Sequence, residues 1–150
     1  MNKENEPVTV TQAIPASAEE VWLALTDAAA MRQWYFDLEH FKPEPGFAFH
    51  FTGEVEGIKY LHHCVITEVV PFEKISYSWR YDGHKGNTLV TFLLHAQFPL
   101  THVTVLHEGI ESFGNSNPHL SKESFRAGWK YLLQTALKNY LAKTQAGSKT

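Results

Sequence analysis

The central part of the chain alternates between hydrophobic and polar residues with a period of two. In residues 74–81, KISYSWRY, the side chains of Ile75, Tyr77, Trp79 and Tyr81 alternate with polar ones. Successive side chains of a β-strand point to opposite faces of a sheet, so this strand has one polar, solvent-exposed face and one strongly aromatic face. The aromatic face covers either a solid core or a hollow that holds a guest molecule.

Five other segments have the hydrophobic pattern of strands, and turns with proline or glycine separate several of them. These segments are residues 7–14, 46–51, 59–70, 87–96 and 101–109. The links between the later segments are short, which favours neighbouring strands that run antiparallel. The sequence therefore predicts one early strand and, later in the chain, a run of antiparallel strands.

Three helices are predicted from capping residues and from a helical period. Ser17 and Glu20 are spaced as a capping box, which satisfies two free amides at the start of a helix. Asp27 can cap a second short helix at residues 28–34. A long amphipathic helix is predicted over residues 121–141. Its broad apolar face consists of Phe125, Trp129, Leu132, Leu133, Ala136 and Tyr140.

The order of these elements is typical of an α+β domain: a strand, two helices, a run of strands and one long helix. A twisted antiparallel sheet curls, and one helix does not fill its concave side evenly. Bulky side chains or a guest must fill the remaining space. Aromatic residues are abundant enough to bound it, since they make up 13% of the chain. Apolar pockets with a few polar groups are the usual form of small-molecule sites.

Length and composition predict a single domain over residues 1–150, with polar ends at 1–6 and 143–150 that are expected to be mobile. The formal net charge of −3 provides no positive field that would attract nucleic acid. The sequence has neither the pattern of a signal peptide nor an apolar segment long enough to span a membrane. A cytoplasmic protein without a nucleic-acid partner or a membrane span is therefore expected.

The histidines and the single cysteine form no recognisable metal or nucleophile motif. The sequence HEGIE, residues 107–111, lacks the second histidine of a zinc-protease helix. His62 and His63 are adjacent on a strand, so they point to opposite faces and cannot bind one metal ion together. Cys64 has no second cysteine with which to form a disulfide or a multi-cysteine zinc site. We therefore assign no metal, no cofactor and no catalytic residue.

Two residues have both a structural and a functional interpretation. Cys64 is expected to be a small buried hydrophobic side chain. His107 shares an inward face with Val103 and Val105, and it is either a hydrogen-bonded core histidine or a polar anchor in a cavity. An enzyme would need a titratable group that faces the cavity, and His107 and Glu108 are the two candidates.

Several motifs in a fixed order give the chain its resemblance to a known family. They run from about Val8 to Leu141 and are IPASAEEVWLALTD followed by Trp34, PEPGFAFHF, ITEVVPFEKISYSW, NTLVTFLL, THVTVLHEGI and GWKYLLQTALKNYL. The chain resembles the START-like helix-grip superfamily (SRPBCC), which includes the birch pollen allergen. Within that superfamily it is similar to the branch related to the activator of the heat-shock-protein ATPase.

The resemblance implies a curved antiparallel sheet of about seven strands that grips a long C-terminal helix, with two short helices after the first strand. Similar members enclose an apolar cavity for lipids, polyketides, flavonoid-like aromatics or hormones. Some relatives are cyclases or hydrolases, and others act by protein contact. The eukaryotic heat-shock activators resemble this chain only in their C-terminal domain, so contact with a chaperone is not the expected function.

The expected function is to bind an apolar or aromatic small molecule (a lipid, polyketide or flavonoid-like compound) between the sheet and the C-terminal helix. A cyclase or hydrolase in the same cavity and a chaperone-related interaction module are the alternatives. His107, Tyr60 or Tyr81 would orient polar substituents of the guest. Strand alternation and the helical period predict a cavity bounded by Trp34, Phe49, Tyr60, Cys64, Trp79, Phe92, His107, Phe125, Trp129 and Leu133.

Overall fold

The helices and strands follow the predicted order, in a computed structural model that describes residues 6–148. The elements are β1 (Val8–Ile14), α1 (Ala18–Thr26), α2 (Ala28–Trp34), β2 (Ala48–Val55), β3 (Ile58–Val70), β4 (Lys74–Tyr81), β5 (Thr88–Gln97), β6 (Leu100–Glu108), 3₁₀ helices at Ile110–Phe113 and Pro118–Leu120, α3 (Lys122–Tyr131), a π-helical segment (Leu132–Leu137) and α4 (Lys138–Ser148). Of the two ends expected to be mobile, residues 1–5 and 149–150 lie outside the described part, and α4 extends to Ser148. The mobility of both ends stays a prediction.

The two short helices begin at the predicted capping residues. The Oγ of Ser17 accepts a hydrogen bond from the amide of Glu20 at 3.1 Å. In return, Oε1 of Glu20 accepts one from the amide of Ser17 at 3.2 Å, which completes the capping box. Asp27 caps α2, because its Oδ2 accepts a hydrogen bond from the amide of Ala30 at 3.0 Å. The prediction of two short helices after the first strand is confirmed.

A single curved antiparallel sheet contains the strands in the order β1-β6-β5-β4-β3-β2. All six segments with a strand pattern pair in this sheet. The resemblance implied about seven strands, and the described residues form six. β3 stays one strand over 13 residues although a β-bulge shifts its register between Ile66 and Glu68. The α+β fold with a curved sheet is therefore confirmed, with this smaller strand count.

The C-terminal helix consists of α3, the π-helical segment and α4. Leu133 and Leu137 on its inner face are fully buried, and the ring of Trp129 contacts that of Phe92 on β5 at a centroid distance of 5.7 Å. The predicted long amphipathic helix is confirmed. Its π-helical stretch was not predicted, and segments of this geometry are frequent at functional sites.

Alternation along β3 and β4 places the aromatic side chains on the face that meets the helix. Tyr77, Trp79 and Tyr81 of β4 are buried, whereas Arg80 between two of them is exposed. The same period on β3 buries Tyr60, His62, Cys64 and Ile66. The aromatic side of the 74–81 strand therefore faces the interior of the protein.

Candidate ligand-binding cavity

A cavity of about 190 Å³ lies between the C-terminal helix and strands β2, β3 and β4. The strands provide one wall, and α3 with the start of the π-helical segment provides the opposite wall. The loop after α2 and the 3₁₀ helix at Pro118–Leu120 close the sides. Eight of the fifteen lining residues have aromatic rings, with His62 and His119 included. The lining residues are Phe36, Gly53, Glu54, Val55, Tyr60, His62, Trp79, Tyr81, His119, Leu120, Ser124, Phe125, Gly128, Trp129 and Leu132.

Two tryptophans, one from the sheet and one from the helix, meet beside the cavity. The ring centroids of Trp79 and Trp129 lie 5.5 Å apart, and both side chains are buried. Phe36, from the loop after α2, approaches Trp79 at 6.2 Å in an edge-on geometry. The aromatic face of β4 therefore meets solid core at Tyr77 and the cavity at Trp79 and Tyr81.

Three neighbouring strands contribute rings that pack side by side on the sheet wall. Phe51, His62 and Tyr81 are cross-strand partners on β2, β3 and β4. His62 stacks on Phe51 with centroids 4.3 Å apart and planes 18° apart. Its centroid lies 4.6 Å from that of Tyr81. This packing restricts the imidazole of His62 to one orientation.

Hydrogen bonds fix the tautomer of His62. Its Nδ1 lies 3.0 Å from the carbonyl oxygen of Tyr60 and 3.3 Å from that of Phe51. Carbonyl oxygens only accept, so Nδ1 carries the proton and Nε2 keeps a lone pair. Among the described residues, Nε2 of His62 has no hydrogen-bond partner. Burial lowers the pKa of His62 to about 4, so the ring is neutral at pH 7.

Tyr81 offers the complementary polar group. Its hydroxyl oxygen accepts a hydrogen bond from Nε1 of Trp79 at 2.8 Å. Within the described part of the chain, no acceptor bonds the hydroxyl hydrogen of Tyr81. Burial raises the pKa of Tyr81, so the phenol stays protonated. His62 therefore presents an acceptor to the cavity, and Tyr81 retains a donor.

His107 lies behind the cavity wall and is fully bonded. Nε1 of Trp129 donates to Nδ1 of His107 at 3.1 Å. The hydroxyl of Thr88 donates to the carbonyl oxygen of Trp79 at 2.7 Å, so it accepts from Nε2 of His107 at 2.8 Å. Burial lowers the pKa of His107 to about 3. His107 is thus a neutral, hydrogen-bonded core histidine, one of the two interpretations left open by the sequence.

A second polar cluster lies at the mouth of the cavity, where three chain segments meet. The hydroxyl of Tyr60 lies 2.8 Å from Nδ1 of His119 and accepts a hydrogen bond from Nδ2 of Asn117 at 3.1 Å. Nε2 of His119 lies 3.3 Å from a carboxylate oxygen of Glu56. When that nitrogen donates to the carboxylate, Nδ1 accepts the proton of Tyr60. The result is a continuous Tyr60–His119–Glu56 chain.

The structure divides the ten residues predicted to bound the cavity into two groups. Tyr60, Trp79, Phe125 and Trp129 line it. The remaining six are buried in the surrounding core and are not among the residues that line this cavity: Trp34, Phe49, Cys64, Phe92, His107 and Leu133. From Leu133 onward the C-terminal helix packs against β1 and α2, and Leu133 is fully buried. Burial also raises the pKa of the Cys64 thiol, as expected for a buried hydrophobic role.

Sequence reasoning missed several lining residues for different reasons. His62 shares the strand face of Tyr60 and Cys64, so alternation along β3 could have identified it. Phe36 and His119 come from a loop and a one-turn 3₁₀ helix, where no periodic signal exists. Gly128 has no side chain to contribute to a hydrophobic pattern.

A larger depression, of about 750 Å³, lies on the outside near β2. Its lining includes the charged side chains of Asp37, Glu39 and Lys42 together with His40 and His50. The smaller cavity is the better candidate site, because aromatic walls with few polar groups suit a small-molecule guest.

The part of the chain that the structure describes contains neither a metal-binding cluster nor a membrane-spanning helix. No group of three or more His, Cys, Asp and Glu side chains among residues 6–148 is arranged to hold a metal ion. Within the same range, no helix combines the length and the apolar character needed to cross a bilayer.

Comparisons with known proteins identify a family and a shared fold. The family model described as "Activator of Hsp90 ATPase homolog 1-like protein" matches residues 15–142. None of the curated proteins matches the chain significantly. Protein CV1439 from Chromobacterium violaceum has a similar structure, with a TM-score of 0.75 and 21% identity over 91% of this chain and 96% of that protein.

Two further solved structures share the fold. Protein MLL2253 from Mesorhizobium loti has a TM-score of 0.74 and 24% identity over 92% of this chain and 98% of its own. DynU16, a protein in the dynemicin biosynthetic locus, has a TM-score of 0.73 and 23% identity over 91% of this chain. The match covers 47% of DynU16, so this chain spans about half the length of that relative.

Proposed function

Because the chain belongs to the family of Activator of Hsp90 ATPase homolog 1-like proteins, which has the helix-grip fold, we propose that it binds an apolar or aromatic small molecule. The guest occupies the cavity between β2–β4 and the C-terminal helix. The observation that carries this proposal is the cavity of about 190 Å³ with a predominantly aromatic lining. Removal of apolar surface from water would provide most of the affinity, at about 25 cal/mol per Å².

The cavity volume limits the size of the guest. An apolar cavity of about 150 Å³ is large enough to hold one benzene ring. At about 190 Å³ this cavity accommodates one substituted aromatic ring, either as a whole molecule or as the buried part of a larger one. The membership of DynU16 in a biosynthetic locus supports a small-molecule role for proteins of this fold.

Gly128 provides a direct test of where the guest binds. Gly128 lines the cavity on α3, and a Cβ atom added there would meet no other atom within 4 Å. We expect Gly128→Leu to fill the mouth of the cavity and to weaken binding of toluene at least tenfold. The measurement is quenching of tryptophan fluorescence, because Trp79 and Trp129 both line the cavity.

Ala127→Leu is the matched control for this test. Ala127 is exposed, precedes Gly128 on the same helix and does not line the cavity, so the variant should bind toluene as the wild type does. Equal weakening in both variants, or no saturable quenching in the wild type, would contradict the proposed site. Native mass spectrometry of protein purified from its own host would then show whether another molecule is retained.

The Tyr60–His119–Glu56 chain supports acid–base catalysis as a second candidate function. An imidazole bonded to a hydroxyl on one side and a carboxylate on the other is an arrangement that can move a proton. The earlier candidates for such a role are less suited, since His107 is fully bonded inside the core and Glu108 is exposed.

Product analysis separates the two functions. The protein is incubated with polyketide-like and flavonoid-like compounds, and mass spectrometry follows any conversion. We expect saturable binding and unchanged compounds. Conversion that disappears in Tyr60→Phe, while toluene still binds to that variant, would favour the enzyme.

A further inference from the structure

We propose that the cavity selects a neutral hydroxylated aromatic ring, a phenol, and that His62 is the residue that recognises the hydroxyl. This inference rests on the proposed function, because it names the chemical class of the guest in the same cavity. It follows from an acceptor nitrogen of His62 and a hydroxyl hydrogen of Tyr81, neither of which has a hydrogen-bond partner within residues 6–148.

The first atom is Nε2 of His62. The carbonyl oxygens of Tyr60 and Phe51 hold the proton on Nδ1, so Nε2 is a hydrogen-bond acceptor and not a donor. The ring is fixed between Phe51, Trp79 and Tyr81, at centroid distances of 4.3, 4.8 and 4.6 Å. An accessible acceptor on a cavity-lining side chain that is held in one orientation favours a guest that brings a donor.

The second atom is the hydroxyl hydrogen of Tyr81. The oxygen of this group already accepts the N–H of Trp79, and the hydrogen has no acceptor within residues 6–148. Tyr81 is the cross-strand partner of His62, and both residues line the cavity. A guest hydroxyl can donate to His62 and accept from Tyr81, so one substituent serves both groups.

Charge disfavours one alternative guest, an aromatic carboxylate. The residues that line the cavity include no lysine or arginine, and Glu54 at its edge is negative. The low pKa of His62 keeps its ring uncharged, so it provides no counter-ion. A carboxylate would lose its hydration without a compensating positive charge, whereas a phenol is neutral.

Three ligands with the same ring and different substituents test the inference by isothermal titration calorimetry: phenol, toluene and benzoate. We expect phenol to bind about tenfold more tightly than toluene, since its hydroxyl makes one or two buried hydrogen bonds. Benzoate should bind least well. A purely apolar cavity would instead prefer toluene, because a buried hydroxyl without a partner is unfavourable.

His62→Phe keeps an aromatic ring at this position and removes the acceptor. In this variant the ratio of the toluene Kd to the phenol Kd should fall to about one or below. A ratio that stays at the wild-type value would overturn the role of His62, and tighter binding of toluene by the wild type would overturn the phenol selectivity. Failure of all three ligands to bind the wild type would contradict the proposed function itself, and the phenol inference would fail with it.

A measurement on the wild-type protein avoids dependence on the folding of the variant. Long-range ¹H–¹⁵N spectra report each ring nitrogen of a histidine. Phenol should shift the Nε2 signal of His62 in the direction of a newly accepted hydrogen bond, and toluene should not. His107 serves as the internal control, because both of its ring nitrogens already have partners. A His62 signal that does not respond to bound phenol would contradict the assignment.

Discussion

Lowering the pH from 7 to 5 should decrease the free energy of unfolding by about 4 kcal/mol through two buried histidines alone. His62 and His107 have pKa values lowered to about 4 and about 3 by burial. In the unfolded chain a histidine has a pKa of about 6.5. Between about pH 6.5 and 4, the unfolded state therefore binds two protons that the folded state does not.

The direction of the pH dependence of the free energy of unfolding follows from this difference in bound protons. Stability rises with pH wherever the unfolded state binds more protons, by about 1.4 kcal/mol per pH unit for each group. The contribution of the two histidines is therefore fully present above pH 6.5. It decreases by about 2.8 kcal/mol per pH unit as the pH falls toward 4, because each histidine contributes separately. Below about pH 4 the dependence becomes weaker as His62 protonates in the folded state.

Urea unfolding at several pH values measures this slope, and variants assign it. His107→Gln can still donate to Thr88 and accept from Trp129, so it should fold and should lose about half of the slope between pH 6.5 and 5. His95→Gln, at an exposed position, controls for the loss of a histidine as such. An unchanged slope in His107→Gln would mean that the imidazole of His107 is not held neutral by burial.

The sequence predicted the elements of this fold because each has a strong local signal. The period of two in residues 74–81 is strong enough to identify both the strand and its buried face. Ser17 and Asp27 mark the helix starts through side-chain hydrogen bonds to amides only three residues away. Such local signals do not depend on contacts with distant parts of the chain, so the sequence alone is enough to predict these elements.

The cavity was predicted less completely because its position depends on contacts between distant segments. Alternation shows that Cys64 and Phe92 point inward, but it cannot show how closely the C-terminal helix packs above them. Trp129 of that helix contacts Phe92, whereas the space beside Gly128, which has no side chain, stays open. The state of His107 also depends on distant partners, Thr88 and Trp129, which the pattern of β6 alone does not reveal.

Replacement of Trp129 by alanine should destabilise the protein by about 3–5 kcal/mol. The side chain is 2% exposed, and its ring contacts those of Trp79, Phe92 and His107 at centroid distances of 5.5 to 5.9 Å. The variant loses these contacts and also leaves Nδ1 of His107 without its donor. One edge of Trp129 borders the cavity, so the new space joins an existing one. Urea unfolding measures the loss.

Trp129→Phe separates the hydrogen bond from the packing. This variant keeps an aromatic ring against Trp79 and Phe92 and removes the indole N–H. We expect it to lose about 1–3 kcal/mol, the usual effect of leaving a buried polar atom without its partner. A loss as large as that of Trp129→Ala would mean that the bond to His107 dominates the role of this residue.

Indole should partly restore the stability of Trp129→Ala, because it replaces the ring that the substitution removes. Bound only by the folded state, it would stabilise the variant by about 1.4 kcal/mol at a tenfold excess over its Kd. 1-Methylindole has a similar shape without the N–H, so it cannot donate to Nδ1 of His107 and should bind less tightly. Equal rescue by both ligands would show that the enlarged cavity binds rings by shape alone. No rescue by either would show that the core collapses around the missing side chain, and Trp129 would then be solid core and not cavity wall.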